Sequence, residues 1–555
     1  MKLKNLTYFA VAAFSAIALS SCNDFLDKTP DNRVDLSTPR QMKLALINGY
    51  SDGNISLMCE LSSDNFEDNN APDDQGVRYN LATYNGYKND DQVFAWQDVN
   101  NENQQDSPTS VWEGAYHAIA VANGVLEAIN NYAGDTADVS AQKGEALLIR
   151  AYNHFTLVNM FAQQYRGPEL SKSLQGVPYI TEPETKVLVN YDRGTVEEDY
   201  EKIEKDLLEG LPLINDNAYE VPKYHFNKAA AYAFAARFFL FKRDYEKCEY
   251  YATMALGGPS GNAATYMSNV WKQTFPSYSN LVQAICSSTN PSNLMLVATS
   301  SLMARRYMSK YRYTVNRNAA KATVFGPGPT WPNFNFHPCF NGKLYISGGQ
   351  EYGVYFPKDG ELFEYTDKVA GIGYPHVVRA EFTGEEVLLE RAEARLYLGK
   401  IDEAIADLKI WNDNRANNAT TYKLVELTKT LLWNWYSKDT GGYGIVKPLH
   451  IDEVCPSDKY KLSDDILPYI QCVLHFRRIE TIFDGYRWFD IKRYGIEITH
   501  KIGKDKVDKL TLWDGRRAFQ VPAEAIAAGL TTTDRTTASG PDEVPIPLNV
   551  PVTNK

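Results

Sequence analysis

Positive charge is what this 555-residue chain is short of: 57 lysines and arginines stand against 69 aspartates and glutamates, for a net charge of −12. Nucleic-acid binding depends on a basic face that neutralises phosphates, and this balance argues against it. Cysteine is scarce too. There are seven, none in a CxxC pair, and those after Cys22 are scattered from Cys59 to Cys472. Such spacing offers no zinc or redox motif and no compact disulfide framework. Phosphate-loop, HExxH and GxSxG patterns are missing, the eight histidines are dispersed, and Gly371-Ile372-Gly373 is too short for a dinucleotide fingerprint. Past residue 21 no apolar run reaches the roughly 20 residues of a membrane span. Glycosidase carboxylates leave no local trace, because the fold brings them together, so a surface glycoside hydrolase stays open as an alternative.

What is present begins with a leader. Lys2 and Lys4 precede an uncharged apolar or small stretch from Leu6 to Leu19, followed by Ser20, Ser21 and Cys22. This is the pattern of a secretory signal peptide, expected over residues 1–21. Leu19-Ser20-Ser21-Cys22 resembles the bacterial lipoprotein box, which implies that Cys22 is lipidated and becomes the first mature residue. Residues 22–40, with Thr29-Pro30-Asp31-Asn32 and Thr38-Pro39, read as a tether, and 41–555 as one domain. Hydrophobic residues at 44% and charged residues at 23% suit a globular body. The 36 tyrosines and 9 tryptophans suit amphipathic contact surfaces as well as core.

The main signal is helical. Trp112, Ala115, Ile119, Ala122, Leu126 and Ile129 recur every three or four residues, and so do Leu147, Ala151, Phe155, Val158, Ala162 and Tyr165, stopped by Gly167-Pro168. Thr195 with Glu198 forms a capping box ahead of a stripe through Val196, Tyr200, Ile203, Leu207 and Leu211. Two segments, Asn227 to Leu256 and Glu385 to Asn412, resemble each other: helix, tight polar turn, helix, with Ala236 and Ala404 small enough for close approach. Neither buries its apolar face alone, so stacking in the manner of tetratricopeptide repeats is expected. The fold class is therefore mainly α, a tetratricopeptide-like scaffold over about 110–257 and 380–500. Residues 258–380 are rich in Gly, Pro, Asn and Tyr and read as an inserted, loop-rich ligand region, with short strands around 343–346 and 353–356.

The segment from Arg477 to Gly495, RRIETIFDGYRWFDIKRYG, looks like the signature of the SusD/RagB family of Bacteroidetes outer-membrane nutrient-binding lipoproteins. Cys22 to Pro30, Ala146 to Tyr165 with Gly176-Val177-Pro178-Tyr179, and Phe382 to Arg415 resemble the family in the same order; the match is weak over 258–380. The resemblance implies a cell-surface, non-enzymatic protein that captures oligo- or polysaccharide for a SusC-like TonB-dependent transporter. A RagB-like peptide receptor is the alternative within the family. On residue chemistry alone the motif reads as structural. Ile479, Phe483 and Tyr486 share a helical face, Gly485 allows close packing or a bend, and Arg487 with Asp490, like Arg477 with Glu480, has the spacing of a local ion pair.

Candidate ligand residues are aromatics in turn-rich context. Trp96 follows the acidic stretch Asp64–Asp74 and is similar in location to a ligand-stacking Trp of starch-binding family members. Trp331 lies between Pro329 and Pro332, where neither regular helix nor central strand fits. Tyr307 and Tyr311 lie beside Arg305 and Arg306, adding rings and donors. No cofactor is expected. The acidic stretch raises structural calcium, but its spacing fits no EF-hand loop and a solvated acidic loop is the plainer reading.

Overall fold

The structure is a computed structural model, and it describes residues 36–72, 76, 87–99, 104–184, 191–308, 311–331, 345–346, 353–416, 425–440 and 442–536. The leader, Cys22 and the tether to residue 35 lie outside the described residues, as do Asp73 and Asp74.

Each repeat helix forms where its apolar spacing and caps place it. Helix α1 (Pro108–Asn130) opens on Ser107, whose hydroxyl accepts from Ser110 N, and buries Val111, Ala115, Ile119, Ala122, Leu126 and Ile129. Helix α2 (Ser140–Phe161) ends four residues before Tyr165, whose ring is nonetheless buried. Helix α3 (Val196–Gly210) starts at the Thr195/Glu198 capping box. Asn227 caps α4 (Lys228–Lys242), and Arg243, at φ +64°, turns the chain into α5 (Tyr245–Ala255). Thr383 caps α6 (Gly384–Tyr397), which pairs with α7 (Ile401–Arg415).

The two sequence-similar hairpins stack on one another, because each has an apolar face that the other covers. Tyr245 and Tyr397 lie ring on ring, 4.3 Å apart and 7° from parallel, and Arg395 Nε donates to Glu249 at 3.1 Å. The architecture is mainly α and tetratricopeptide-like.

The C-terminal motif is not one helix. Helix α8 (Leu467–Glu480) stops, Phe483 takes φ +68° and Gly485 φ +85°, and α9 (Tyr486–Arg493) starts in a new direction. Ile479, Phe483 and Tyr486 are all buried, but no single helical face carries them. Gly485 serves both expected purposes. It adopts a left-handed conformation, and a Cβ there would sit 2.8 Å from Cys59 Cβ.

The local ion pairs expected from spacing do not form. Arg477 donates to Asp490 at 3.1 Å, Asp490 also accepts from Arg493 at 2.8 Å, and Glu480 is held by Arg415 at 2.6 and 2.7 Å. Arg487 crosses to Asp64, at 2.7 and 3.0 Å. Buried charges must be neutralised, and the nearest opposite charge in space comes from another segment.

Between α5 and α6 the chain builds a small antiparallel sheet of β1 (Asn293–Thr299), β2 (Glu361–Asp367) and β3 (Ile372–Thr383), in the order β1-β3-β2. A two-residue ladder, Tyr345–Ile346 with Val354–Tyr355, falls where short strands were expected. The sheet is bolted to the scaffold through Glu381 of β3. Its carboxylate accepts from Tyr486 at 2.6 Å and Arg237 at 3.2 Å, and from Tyr152.

Candidate functional site

Four of the five candidate ligand residues are core. Trp96 is buried. Its indole N–H donates to Ser62 O at 2.9 Å, and its ring lies 4.1 Å from the His500 ring, 19° from parallel. Trp331 is sealed inside, donating to Gly326 O at 2.9 Å and packing near Phe476. The Tyr307 ring stacks 4.8 Å from that of Tyr355. Tyr311 OH donates to Asp90 at 2.6 Å, beside the buried ion pair of Asp90 with Arg306. In this structure these rings staple loops onto the scaffold and present no free face. Proline and glycine around a Trp rule out regular structure but say nothing about which way the ring points.

Arg305 is the exception. Its side chain is 53% exposed and pairs with Glu361, at the start of β2. That pair marks the base of a second aromatic set. The far half of β3 has no partner except β2, so the two strands run out past the sheet as a hairpin turning near Gly371. Side chains alternate along a strand and directly paired residues share a face. Glu361, Phe363 and Tyr365 therefore line one face, opposite Val377, Pro375 and Gly373.

Phe363 is 49% exposed and Tyr365 52%, with ring centroids 4.9 Å apart. A Cβ on Gly373 would lie 2.7 Å from Phe363 Cε1, so the missing side chain lets the ring rest across the neighbouring strand. On the reverse face Tyr374, 49% exposed, donates to Glu364 at 2.9 Å. Val369 and Ile372 at the tip are also exposed. Two adjacent exposed rings, with a guanidinium and a carboxylate beside them, make a stacking platform with a hydrogen-bonding edge. Sequence reading passed over these rings. The signal was the period-two run Phe363-Glu364-Tyr365, with Gly371 to close the hairpin.

Within the acidic stretch, Asp64 and Asp68 are neither solvated nor free. Burial alone would raise the Asp64 carboxyl, but Arg478, Arg487 and Lys447 outweigh it and hold it well below the usual carboxylate range. Asp68 accepts from Arg312 at 2.5 and 2.7 Å. Among the described residues no group of three or more His, Cys, Asp or Glu is arranged to hold a metal ion, and none of the helices is long and apolar enough to cross a membrane.

A SusD-like family model, described as "Starch-binding associating with outer membrane", matches residues 24–240. No curated protein matches the sequence. Among solved structures, a SusD superfamily protein from Bacteroides vulgatus superposes with a TM-score of 0.61 at 16% identity, over 90% of this chain and 100% of that one. A SusD-like carbohydrate binding protein from the same organism gives 0.55 at 16%, over 89% and 97%. A laminarin binding SusD-like protein gives 0.51 at 15%, over 89% and 98%. At these identities the likeness is one of fold.

Proposed function

We propose that the chain is a member of the SusD/RagB family, a cell-surface lipoprotein that captures a glycan and delivers it to a SusC-like TonB-dependent transporter in the outer membrane. The observation that carries the ligand reading is the exposed Phe363/Tyr365 face. Sugar rings bury their C–H faces on such rings, while Arg305 and Glu361 stand at the edge for hydroxyls. Solvent-exposed aromatic pairs are costly for a protein that gains nothing from them. The carbohydrate-binding description of structural relatives supports the same class of ligand. Lipid on Cys22 would supply the anchor, with each buried methylene contributing about 0.8 kcal/mol.

Binding without cleavage is the role proposed. Pull-down of the chain on insoluble polysaccharides, with analysis of the released material, tests it. Retention on one glycan with its chain length unchanged is the expected result. Shortened chains would make the protein a hydrolase, and retention on peptides alone would make it a RagB-like receptor. Cys22→Ala should move the protein from the membrane fraction to the soluble one or trap its precursor. Copurification of an outer-membrane β-barrel with the tagged protein tests the transporter.

A further inference from the structure

A cleft of about 850 Å³, lined by no residue of the insert, lies between the end of α2 and the segment 512–536. Gln163, Gln164, Arg166, Trp513, Thr533 and Asp534 are among the residues lining it. Two features set it apart from the rest of the surface.

The first is an arginine without a carboxylate. Most guanidinium groups of the core are matched to acids, as Arg415 is to Glu480 and Arg493 to Glu393, while Arg193 and Arg517 are held by backbone carbonyls and, for Arg193, the Thr533 hydroxyl. The Arg166 guanidinium instead lies over the Trp513 ring, 4.4 Å from its centroid, and Nε donates to Val454 O at 3.1 Å. Among the described residues nothing accepts from Nη1 or Nη2, and no acid forms an ion pair with them. A guanidinium held over an indole with its two terminal nitrogens free is oriented for a bidentate oxyanion.

The second is Gln164. It is 5% exposed, and its Oε1 has no hydrogen-bond partner. Buried amide oxygens are ordinarily satisfied; this one is sealed from solvent and meets a ligand only after the side chain turns outward. Gln163 is already engaged with Gly515 O at 2.8 Å.

We propose that this cleft is a second binding site, one that takes an acidic sugar unit. Arg166 grips the carboxylate or sulfate, and the half-buried Trp513 supplies apolar wall. That the unit is a sugar rests on the glycan reading above; the oxyanion preference rests on the cleft alone. The chain would then hold its ligand at two places, the aromatic platform of the hairpin and this cleft.

Calorimetry on the mature chain tests it with three probes: trigalacturonate, a sulfated chondroitin disaccharide, and neutral laminaritriose. One of the two acidic probes is expected to bind, which also tells carboxylate from sulfate, while the neutral one does not occupy the cleft. Arg166→Met keeps the apolar stem over the indole and should weaken the acidic probe about tenfold or more. Should that variant melt early, Arg166→Lys, which keeps the charge and removes the fork, gives the same reading. Phe363→Ser with Tyr365→Ser should leave acidic binding untouched, so failure of the hairpin reading and failure of this one are separable. No binding of either acidic probe, or full affinity in the folded Arg166 variants, overturns the proposal.

Discussion

Arg487 reaches back 423 residues along the chain to grip Asp64, with Nε 2.7 Å from one carboxylate oxygen and Nη2 3.0 Å from the other. Lys447 at 2.6 Å and Arg478 at 3.6 Å complete the neutralisation. Because the cluster is buried, removing Asp64 strands three cations, whereas removing Arg487 leaves the carboxylate with Lys447 and Arg478. Asp64→Ala should cost about 3–5 kcal/mol, and Arg487→Ala less. The double variant should cost less than the sum of the two, since Arg487 is then no longer left facing an empty site. Chemical denaturation of the four proteins checks this, and additive losses would show that the two side chains are not coupled.

Gly485 joins the two parts of the same motif. Its φ of +85° disfavours any L side chain, and a Cβ would press on Cys59 and the Ser56 backbone. Its amide also donates to buried Glu60 at 3.0 Å. Gly485→Val should lower the melting temperature by several degrees or prevent folding, and Gly485→Ala should do so less severely. A Val variant that melts with the parent would contradict the packing described.

His154 gives the fold an acid-sensitive joint. Nδ1 donates to Arg150 O at 2.8 Å and Nε2 accepts from Ile180 N at 3.0 Å, so the neutral ring clips the 176–180 loop onto α2. Burial pushes its pKa down to about 3. The unfolded chain has the ordinary value near 6.5 and therefore binds the extra proton first. Between about pH 6.5 and 3 stability should fall as pH falls, and above that window this contribution is fully present. Melting curves of the parent and His154→Gln should differ in slope over this range and run parallel above it.

Buried and exposed aromatics should separate cleanly. Trp331→Ala empties a sealed site and should cost about 3–5 kcal/mol of stability. Phe363→Ser with Tyr365→Ser should leave melting nearly unchanged and weaken glycan binding by about 1 kcal/mol per ring, roughly tenfold or more together. Thermal melts beside calorimetry on the retained glycan decide it. Trp96→Ala should behave like Trp331→Ala, because its ring is enclosed by His500 and Arg516.

The sequence by itself determined the helices. Capping at Thr195 and the stripes of Ile119 and Leu147 act within a few residues, so local spacing encodes them. It also determined the repeat-like pairing of the 227–256 and 385–412 hairpins, because each carries an apolar face with no partner of its own. Only the tertiary structure decided which charges meet. Arg487 takes Asp64 rather than Asp490, since desolvated charges settle on the best-placed counter-charge in space and sequence separation does not enter. It also decided which rings see solvent. Trp96 and Trp331 sit in turn-rich segments that fold inward over apolar surface, while Phe363 and Tyr365 sit on a hairpin that outruns its sheet. Burial of a ring depends on what packs over it, and for these four the covering residues, or their absence, lie elsewhere in the chain.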